Sequence, residues 1–233
     1  MKTIRCHQIN DDISTISLDE VDIAPPAAGE VQIKVMACSV NFPDVLMIQG
    51  KYQFAPPLPF APGGEFAGEI VAVGSGVDQF NIGDRAVAGT RYGGFSELVN
   101  AEVGSVKPIP AGISFEKAAA YQTAYLTAYV ALTVRGGLKP GETLLVHGAT
   151  GGVGLAAVDL GKHLGATVIA TGGTDEKLSV VKARGADHVI NYTLPDGSLG
   201  GFREKVKALT DGLGADVVFD PVGGSVFDES MRC

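Results

Sequence analysis

The segment HGATGGVG, residues 147–154, has the residue types and spacing that suit a phosphate ligand. It follows a short apolar run and opens a helical pattern, which is the context that a dinucleotide-binding turn requires. Ala149, Gly151 and Gly154 match the dinucleotide fingerprint with alanine in its first position. Small residues here permit a sharp turn, close approach of the backbone to a pyrophosphate and tight packing of the helix on the strand. The free amides at the helix start then attract the phosphates. A glycine-rich turn without a ligand is the alternative.

The next predicted strand, ATVIATG at residues 166–172, ends without a carboxylate. A site for NAD usually carries Asp or Glu at this point, hydrogen-bonded to the ribose 2′-hydroxyl. Asp175 comes later, in the first turn of the following helix, where an acid stabilises the helix N-terminus. Gly173, Thr174 and Lys177 offer a backbone amide, a hydroxyl and a point charge, which suit a 2′-phosphate. The pattern favours NADPH, with a solvated surface lysine as the alternative for Lys177.

Composition narrows the class of protein. Of 233 residues, 45% are hydrophobic and 19% are charged, and the net charge is −8 without any basic run, so nucleic acid is not expected as a partner. The three cysteines, Cys6, Cys38 and Cys233, form no C-x-x-C pair, and therefore predict neither a disulfide framework nor a cysteine zinc cluster. The chain starts without a signal-peptide pattern and contains no run of 18 apolar residues. We expect a cytoplasmic protein with no membrane partner.

Two kinds of pattern divide the chain, and we expect an N-terminal domain at residues 1–120 and a second domain at residues 121–233. The first half contains short alternating runs separated by turn residues, which predict a small β-barrel or sandwich. Its predicted strands are 31–40, 64–77, 84–90 and 93–102. The proline-rich stretch 52–64 is predicted to be an ordered loop near a cleft, because proline removes backbone donors.

A helix is predicted over residues 115–134, with Ser114 as its N-cap. Strands and helices then alternate, which predicts an α/β fold with a parallel sheet and right-handed crossovers. The predicted strands are 142–148, 166–172, 186–192 and 215–220, and the predicted helices are 152–165, 175–185 and 202–210. A doubly wound dinucleotide domain ordinarily has about six strands. With four, we expect a C-terminally truncated sheet and little activity from these residues alone.

The chain resembles the medium-chain dehydrogenase/reductase superfamily, and within it the zinc-independent, zeta-crystallin-like quinone oxidoreductases. The matching segments are SVNFPDVLMIQGKY (39–52), residues 62–87, YQTAYLTAY (121–129) and HGATGGVG with its continuation to INY. The resemblance implies a GroES-like β-barrel followed by a Rossmann-type sheet. It also implies a homodimer for the full-length protein.

The resemblance implies roles for particular residues. Asn41, Asp44 and Tyr52 correspond to residues that line the active-site cleft, and Thr127 to one near the nicotinamide. Residues at the coenzyme are likewise implied: Gly152 and Val153 at the pyrophosphate, and Gly173, Thr174, Lys177 and Tyr192 at the 2′-phosphate. One departure is Leu46, where some quinone reductases have a tyrosine. Asn41 and Asp44 as simple loop caps are the alternative.

No metal site is expected. Zinc-dependent relatives have a cysteine where this chain has Asn41 and a histidine where it has Gly64. Zinc needs three or four nitrogen, sulfur or oxygen ligands within reach of one point. The histidines are scattered and are interpreted as structural: His7, His147, His163 and His188.

Three functions fit these observations. The first is transfer of hydride from NADPH to a quinone, with Asn41 donating a hydrogen bond to the acceptor oxygen and Tyr52 donating or shaping the cleft. The second is reduction of the double bond of an α,β-unsaturated carbonyl compound. The third is NADPH binding without catalysis, in a structural protein. The sequence does not separate the first two.

Overall fold

The computed structural model describes all of residues 1–233, which form two compact units, Met1–Thr123 and Ala124–Cys233. The first unit is mainly β-structure, and the second alternates strands with helices. None of the helices combines the length and the hydropathy needed to cross a membrane.

The first unit is built on a five-stranded antiparallel sheet. A separate antiparallel pair precedes it, and a short helix follows its first strand. The elements are β1 (Lys2–Arg5), β2 (Ser17–Glu20), β3 (Glu30–Cys38), α1 (Phe42–Ile48), β4 (Glu65–Val73), β5 (Arg85–Gly89), β6 (Leu98–Glu102) and β7 (Val106–Pro108), with 3-10 turns at Ile13–Thr15 and Val103–Ser105. The strand order in the larger sheet is β6-β3-β4-β5-β7.

The core of this unit follows from the alternation of its strands. Successive side chains of a strand point to opposite faces of the sheet, so Val31 and Ile33 of β3 lie on one face, where both are fully buried. They pack with Phe66 and Ile70 of the neighbouring strand. The predicted strands of the first half are thus confirmed, with bounds a few residues shorter than expected.

The proline-rich stretch 52–64 contains no helix or named strand, as expected. Its C-terminal part is nevertheless held in place. Cys6 and Phe60 exchange two backbone hydrogen bonds, of 2.8 and 3.1 Å. Three residues later the amide of Gly63 donates to a carboxylate oxygen of Asp44 on α1, at 3.0 Å. The loop is therefore ordered by the elements that flank it.

The long helix predicted over residues 115–134 is wrong as a single element. Ser114 does cap a helix, since its hydroxyl accepts from the Lys117 amide, but α2 ends at Ala119 (Phe115–Ala119) and α3 begins at Gln122 (Gln122–Tyr129). The break occurs because the amides of Gln122 and Thr123 donate to the buried carboxylate of Glu65. A helical segment with π-type bonding, Val130–Arg135, follows α3.

The second unit contains a four-stranded parallel sheet. Its remaining elements are β8 (Thr143–Val146), α4 (Gly152–His163), β9 (Thr167–Gly172), α5 (Asp175–Ala183), β10 (His188–Asn191), α6 (Arg203–Leu209), β11 (Val217–Phe219) and α7 (Ser225–Ser230). The strand order is β10-β9-β8-β11. The chain therefore adds β9 and β10 on one side of β8 and then crosses over to place β11 on the other side. The predicted strands and helices of this unit are confirmed.

The order of the strands decides where a ligand can bind. In open parallel sheets the binding crevice lies at the carboxyl ends of the strands, where the strand order reverses. Here that point is between β8 and β11, which pair through Leu145↔Val218 and its neighbours. The segment 147–154 leaves β8 at this carboxyl edge. The fold thus places the glycine-rich turn at the expected binding edge.

Candidate active site

The turn from β8 into α4 has the shape that a phosphate-binding turn needs. Gly148 has φ of +55°, a left-handed conformation that glycine adopts without strain. Gly151 is the N-cap of α4 and accepts from the amide of Leu155 at 2.8 Å. Because the first amides of a helix have no intrahelical partner, those of Gly152, Val153 and Gly154 are available to an anion.

Close packing explains the third glycine of the fingerprint. A Cβ atom on Gly154 would lie 2.2 Å from the carbonyl oxygen of Gly148 and 2.8 Å from Cα of Ala149. Both are backbone atoms, so the turn can lie this near to α4 only without a side chain at residue 154. By contrast, nothing lies within 4 Å of a Cβ built on Gly152, so the surface beside it is open.

Ala149 and Gly151 have a different part in the turn. Their amides already donate within the protein, Ala149 to the carbonyl of Thr171 at 3.3 Å and Gly151 to that of Gly148 at 3.0 Å. The Ala149 side chain is fully buried in the core of the unit. These two residues therefore shape the turn, and the donors that remain for a phosphate come from the residues after them.

The residues expected at a 2′-phosphate lie at the carboxyl ends of β9 and β10. Asn191 is the register partner of Gly172, so Gly173 and Tyr192 each follow directly after this pair. Thr174 is the N-cap of α5, and its hydroxyl oxygen accepts from the amide of Lys177 at 3.4 Å. The Lys177 side chain is exposed. The structure thus brings the hydroxyl of Thr174, the backbone amide of the half-buried Gly173 and the ammonium of Lys177 to one edge of the sheet.

A carboxylate and a further cation lie near the same edge. The carboxylate of Asp175 accepts a hydrogen bond from the carboxamide of Asn191 at 2.9 Å, so it is engaged within the protein. Lys205 of α6 extends its ammonium to the carbonyl oxygen of Asn191, at 3.5 Å. Sequence reasoning missed Lys205, because it lies in a different helix from Lys177 and no spacing rule connects the two.

The first unit contains a cleft of about 500 Å³. It is lined by three of the four residues expected to serve catalysis, Asn41, Asp44 and Tyr52. The fourth, Thr127, belongs to the second unit, where it is exposed on α3. Phe54, Thr90, Arg91 and Thr123 also line the cleft.

Asn41 begins α1 and is held by two polar contacts. Its backbone amide donates to Oδ2 of Asp44 at 2.8 Å, and its carboxamide Nδ2 donates to the hydroxyl of Ser39 at 2.8 Å. Ser39 in turn contacts the carboxylate of Glu65, with 3.2 Å between Oγ and Oε2. Glu65 is 1% exposed. The side chain of Asn41 is therefore fixed at the cleft through a buried carboxylate.

Asp44 is more enclosed than its expected place in the cleft suggests. It is 2% exposed, and each of its oxygens accepts a backbone hydrogen bond, from Asn41 at 2.8 Å and from Gly63 at 3.0 Å. These bonds cap α1 and tie the proline-rich loop to it, as a carboxylate at the third helical position commonly does. The geometry thus indicates that Asp44 holds α1 and the proline-rich loop together at the cleft.

Another part of the cleft lining is aromatic and cationic. The ring of Phe54 stacks on that of Tyr92 with 6.1 Å between centroids, and the guanidinium of Arg91 lies 4.8 Å from the Phe54 centroid. Tyr52 packs against the same cluster of apolar side chains. A planar acceptor is the kind of ligand that such a wall favours. The sequence placed the proline-rich stretch 52–64, which contains Phe54, near a cleft, but it did not indicate Arg91, since a lone arginine in a loop carries no pattern.

Comparisons with known proteins assign a family to a segment of each unit. Residues 27–111 match the alcohol dehydrogenase GroES-like domain family, and residues 152–233 match the zinc-binding dehydrogenase family. The chain is 36% identical to the quinone oxidoreductase of Escherichia coli, crystallised as a complex with NADPH, with a TM-score of 0.89 over 100% of this chain and 70% of the other. The chain belongs to the quinone oxidoreductase-like group of the medium-chain dehydrogenase/reductase superfamily.

Two further similar proteins are named for different reactions. The mouse quinone oxidoreductase-like protein 2 is 38% identical over 218 residues, which are 93% of this chain and 61% of the relative. The CurK enoyl reductase is 30% identical with a TM-score of 0.87, covering 99% of this chain and 70% of the other. The chain thus spans about three-fifths of the length of its mouse relative.

Membership of the group confirms the expected fold class. The antiparallel unit corresponds to the GroES-like part and the parallel sheet to the Rossmann-type part. The position at which zinc-dependent members have a cysteine carries Asn41, whose carboxamide contacts Ser39. No group of three or more His, Cys, Asp and Glu side chains in the chain lies close enough together to hold a metal ion.

Cys38 carries a thiol near this position, at the end of β3. Burial, together with the charges of Asp44 and Glu65, raises the pKa of the Cys38 thiol to about 12. Its sulfur donates to the carbonyl oxygen of Glu65 at 3.1 Å. Since only the thiolate is a strong nucleophile, Cys38 is protonated and unreactive at neutral pH.

His147 is the most enclosed histidine of the chain and is fully buried. Its two ring nitrogens contact the hydroxyls of Thr171 and Ser230, each at 2.7 Å. Burial lowers its pKa below the ordinary value of 6.5, against the opposing charge of Asp220. The imidazole therefore joins β8, β9 and α7 as a neutral group.

Ser39 and Glu65 are two further residues near the site that sequence reasoning missed. One signal was present: Glu65 is an acid within the apolar run GEFAGEIVAV, where a buried strand residue would be expected. A buried carboxylate requires partners. Those partners come from residues 122 and 123, which no local pattern could have indicated.

Proposed function

We propose that the intact protein is an NADPH-dependent oxidoreductase that reduces a quinone without a metal. The observation that carries this proposal is the turn at Gly148–Gly154, which presents free helix amides at the switch point of a parallel sheet and leaves no room for a side chain at residue 154. Its relative from Escherichia coli was crystallised with NADPH, which supports the same coenzyme here.

The residues of the second unit suit this coenzyme. The amides of Gly152, Val153 and Gly154 would hold the pyrophosphate, with Ala149 and Gly151 shaping the turn. A further group would hold the 2′-phosphate: Gly173, Thr174, Lys177 and Tyr192. Lys205 adds a second positive charge near Asn191. We propose residues 121–233 as the coenzyme-binding domain and residues 1–120 as the substrate domain.

NADPH, when bound, supplies a hydride for a conjugated acceptor. The protein must then stabilise the negative charge that develops on the acceptor oxygen. Asn41 is the candidate donor, because its Nδ2 carries two hydrogens and Ser39 accepts one of them. Tyr52, Phe54 and Arg91 shape the cleft for a planar molecule. A role for Thr127 near the nicotinamide stays a prediction.

The composition of the cleft supports a reaction without a metal. The carboxylate that lines it, Asp44, has both oxygens occupied by backbone amides. The nearby thiol of Cys38 donates to the carbonyl oxygen of Glu65 at 3.1 Å. These groups are engaged in holding the protein together and do not present a ligand set.

Reduction of an α,β-unsaturated carbonyl compound is the second candidate. It is favoured by the similarity to the CurK enoyl reductase, and it would use the same donor, because a quinone and an enone both develop charge on a carbonyl oxygen. A non-catalytic NADPH-binding protein is the third. A homodimer and a cytoplasmic location stay predictions.

The deciding experiment is a steady-state assay of the intact protein with NADPH against a panel of quinones and enones, with NADH as the control coenzyme. Turnover of quinones with a preference for NADPH is the expected result. Turnover of enones alone would move the assignment to the second candidate. Tight NADPH binding in calorimetry without turnover of either class would support the third, and a strong preference for NADH would contradict all three.

A further inference from the structure

We propose that Ser39 and Glu65 are positioning residues, which hold the carboxamide of Asn41 so that it donates a hydrogen bond to the acceptor oxygen. This inference rests on the proposed function, because it assigns residues that act through Asn41. The starting point is the buried carboxylate of Glu65. Its contacts fix the direction of the hydrogen bonds that run from Asn41 through Ser39.

Glu65 is the fixed point of this arrangement. Its side chain is 1% exposed, yet it carries a carboxylate within the strand β4. The amide of Thr123 donates to its Oε2 at 3.1 Å, and the amide of Gln122 donates to its Oε1. These donors are the first amides of α3, where the helix dipole favours a negative charge. A carboxylate in this setting is an acceptor only.

Ser39 must then donate to Glu65. A serine hydroxyl has a single hydrogen, and the Oγ of Ser39 lies 3.2 Å from Oε2 of Glu65. With that hydrogen directed to the carboxylate, Oγ can only accept from its other partner. That partner is the carboxamide of Asn41, 2.8 Å away. The group that faces Ser39 is therefore the NH2 of Asn41, not its carbonyl oxygen.

The orientation matters because the two ends of a carboxamide have opposite effects on a developing oxyanion. Nδ2 has two hydrogens, and Ser39 takes one, so one amide hydrogen is left for a ligand in the cleft that Asn41 lines. If the carboxamide were released and turned over, Oδ1 would replace Nδ2 and would repel the negative charge. Ser39 and Glu65 thus determine that Asn41 directs its NH2 group, and not its carbonyl oxygen, at the acceptor oxygen.

The test is kinetic, on the intact protein with NADPH and the acceptor that it turns over. Ser39→Ala is expected to lower kcat about tenfold, since small losses of orientation have effects of this order or larger. The KM for NADPH should stay unchanged. Ser39→Thr keeps the hydroxyl and should recover most of kcat.

Ser96→Ala is the matched control. Ser96 also lies in the first unit and also makes a hydroxyl contact, with Thr3 at 2.7 Å, but it does not line the cleft. The two alanine variants should have similar melting temperatures, and only Ser39→Ala should lose kcat.

A double-mutant cycle with Asn41→Ala separates positioning from a general structural effect. If Ser39 acts through Asn41, Ser39→Ala should add nothing to the loss caused by Asn41→Ala, because the oriented group is already gone. The inference would be overturned if the fold-losses of kcat in the two single variants multiplied in the double variant. An unchanged kcat in Ser39→Ala would also overturn it. A wild-type protein that turns over no acceptor would instead refute the proposed function, so the two failures are distinguishable.

Discussion

The carbonyl oxygen of Gly148 lies only 2.2 Å from the position that a Cβ atom on Gly154 would occupy. The oxygen belongs to the loop that would receive the pyrophosphate, and residue 154 belongs to the helix whose amides would bind it. Neither position can shift alone, because the oxygen is a backbone atom and the backbone of residue 154 fixes the direction of its Cβ. The distance between strand end and helix is thus set by the absence of one methyl group.

Gly154→Ala is therefore expected to damage both folding and coenzyme binding. The methyl group would force the turn away from α4, at a cost of about 1–3 kcal/mol in the free energy of unfolding, as for other overpacked sites. NADPH affinity should fall because the amides move with the turn. Chemical denaturation and calorimetry of the intact protein measure the two effects separately.

Gly152→Ala is the matched control, because nothing lies within 4 Å of its Cβ position. Its stability should equal or slightly exceed that of the wild type, since alanine favours a helix more than glycine does. If the pyrophosphate approaches this open surface, NADPH affinity should still fall. A stable Gly152→Ala variant with unchanged affinity would place the coenzyme elsewhere.

Lys177→Ala tests the discrimination between the two coenzymes. The exposed ammonium of Lys177 follows the N-cap Thr174, and it should interact with a 2′-phosphate that NADH lacks. The expected result is a KM for NADPH raised about tenfold, roughly the effect of one charged hydrogen bond, with an unchanged KM for NADH.

Lys139→Ala provides the comparison for surface charge alone. Lys139 is also exposed in the second unit, but it precedes β8 and so lies toward the amino edge of the sheet. Its removal should leave both KM values unchanged. Equal effects of the two substitutions, or an equal loss for NADPH and NADH in Lys177→Ala, would argue against a phosphate contact at Lys177.

How far the sequence predicts this structure depends on the range of the interactions. In the second unit the strands and helices from β8 to β11 are each defined by their own periodicity and caps, such as Thr174 before α5, and these elements were predicted. The helix predicted over residues 115–134 failed because Glu65, 57 residues earlier, accepts from the amide of Gln122. No local pattern reports a partner so distant in the chain.

For the site, too, the sequence predicts the features that depend on neighbouring residues and misses those that depend on distant ones. The glycine turn is local, and it leads from a strand into a helix as predicted. Asn41 and Tyr52 were found through resemblance and do line one cleft. Ser39 and Arg91 were missed, since their importance comes from neighbours brought together only by folding.

Cys38 should resist alkylation in the folded protein. Burial raises the pKa of its thiol to about 12, so almost none is thiolate at pH 8. Treatment of the native protein with iodoacetamide at this pH should leave Cys38 unmodified in peptide mass spectrometry and should leave activity unchanged. The same treatment in urea should modify it. Rapid labelling of native Cys38, with loss of activity, would instead show a reactive thiol at this position.

His147 should make the stability of the second unit dependent on pH. Burial lowers its pKa below the ordinary value of 6.5, so the unfolded chain binds a proton more readily than the folded one. The stabilisation is then fully present above about pH 6.5 and is lost as the pH falls below that value toward the folded pKa. The slope cannot exceed about 1.4 kcal/mol per pH unit for one group.

The measurement is the melting temperature between pH 7.5 and 5.5, for the wild type and for His147→Gln. The wild type should lose stability on acidification, while the variant, less stable throughout because its contacts with Thr171 and Ser230 change, should lose less over the same range. Because the other histidines are retained in both proteins, the difference between the two slopes reports His147. Parallel slopes would mean that the buried imidazole accepts a proton without cost, and that the charge of Asp220, which opposes the effect of burial, balances it.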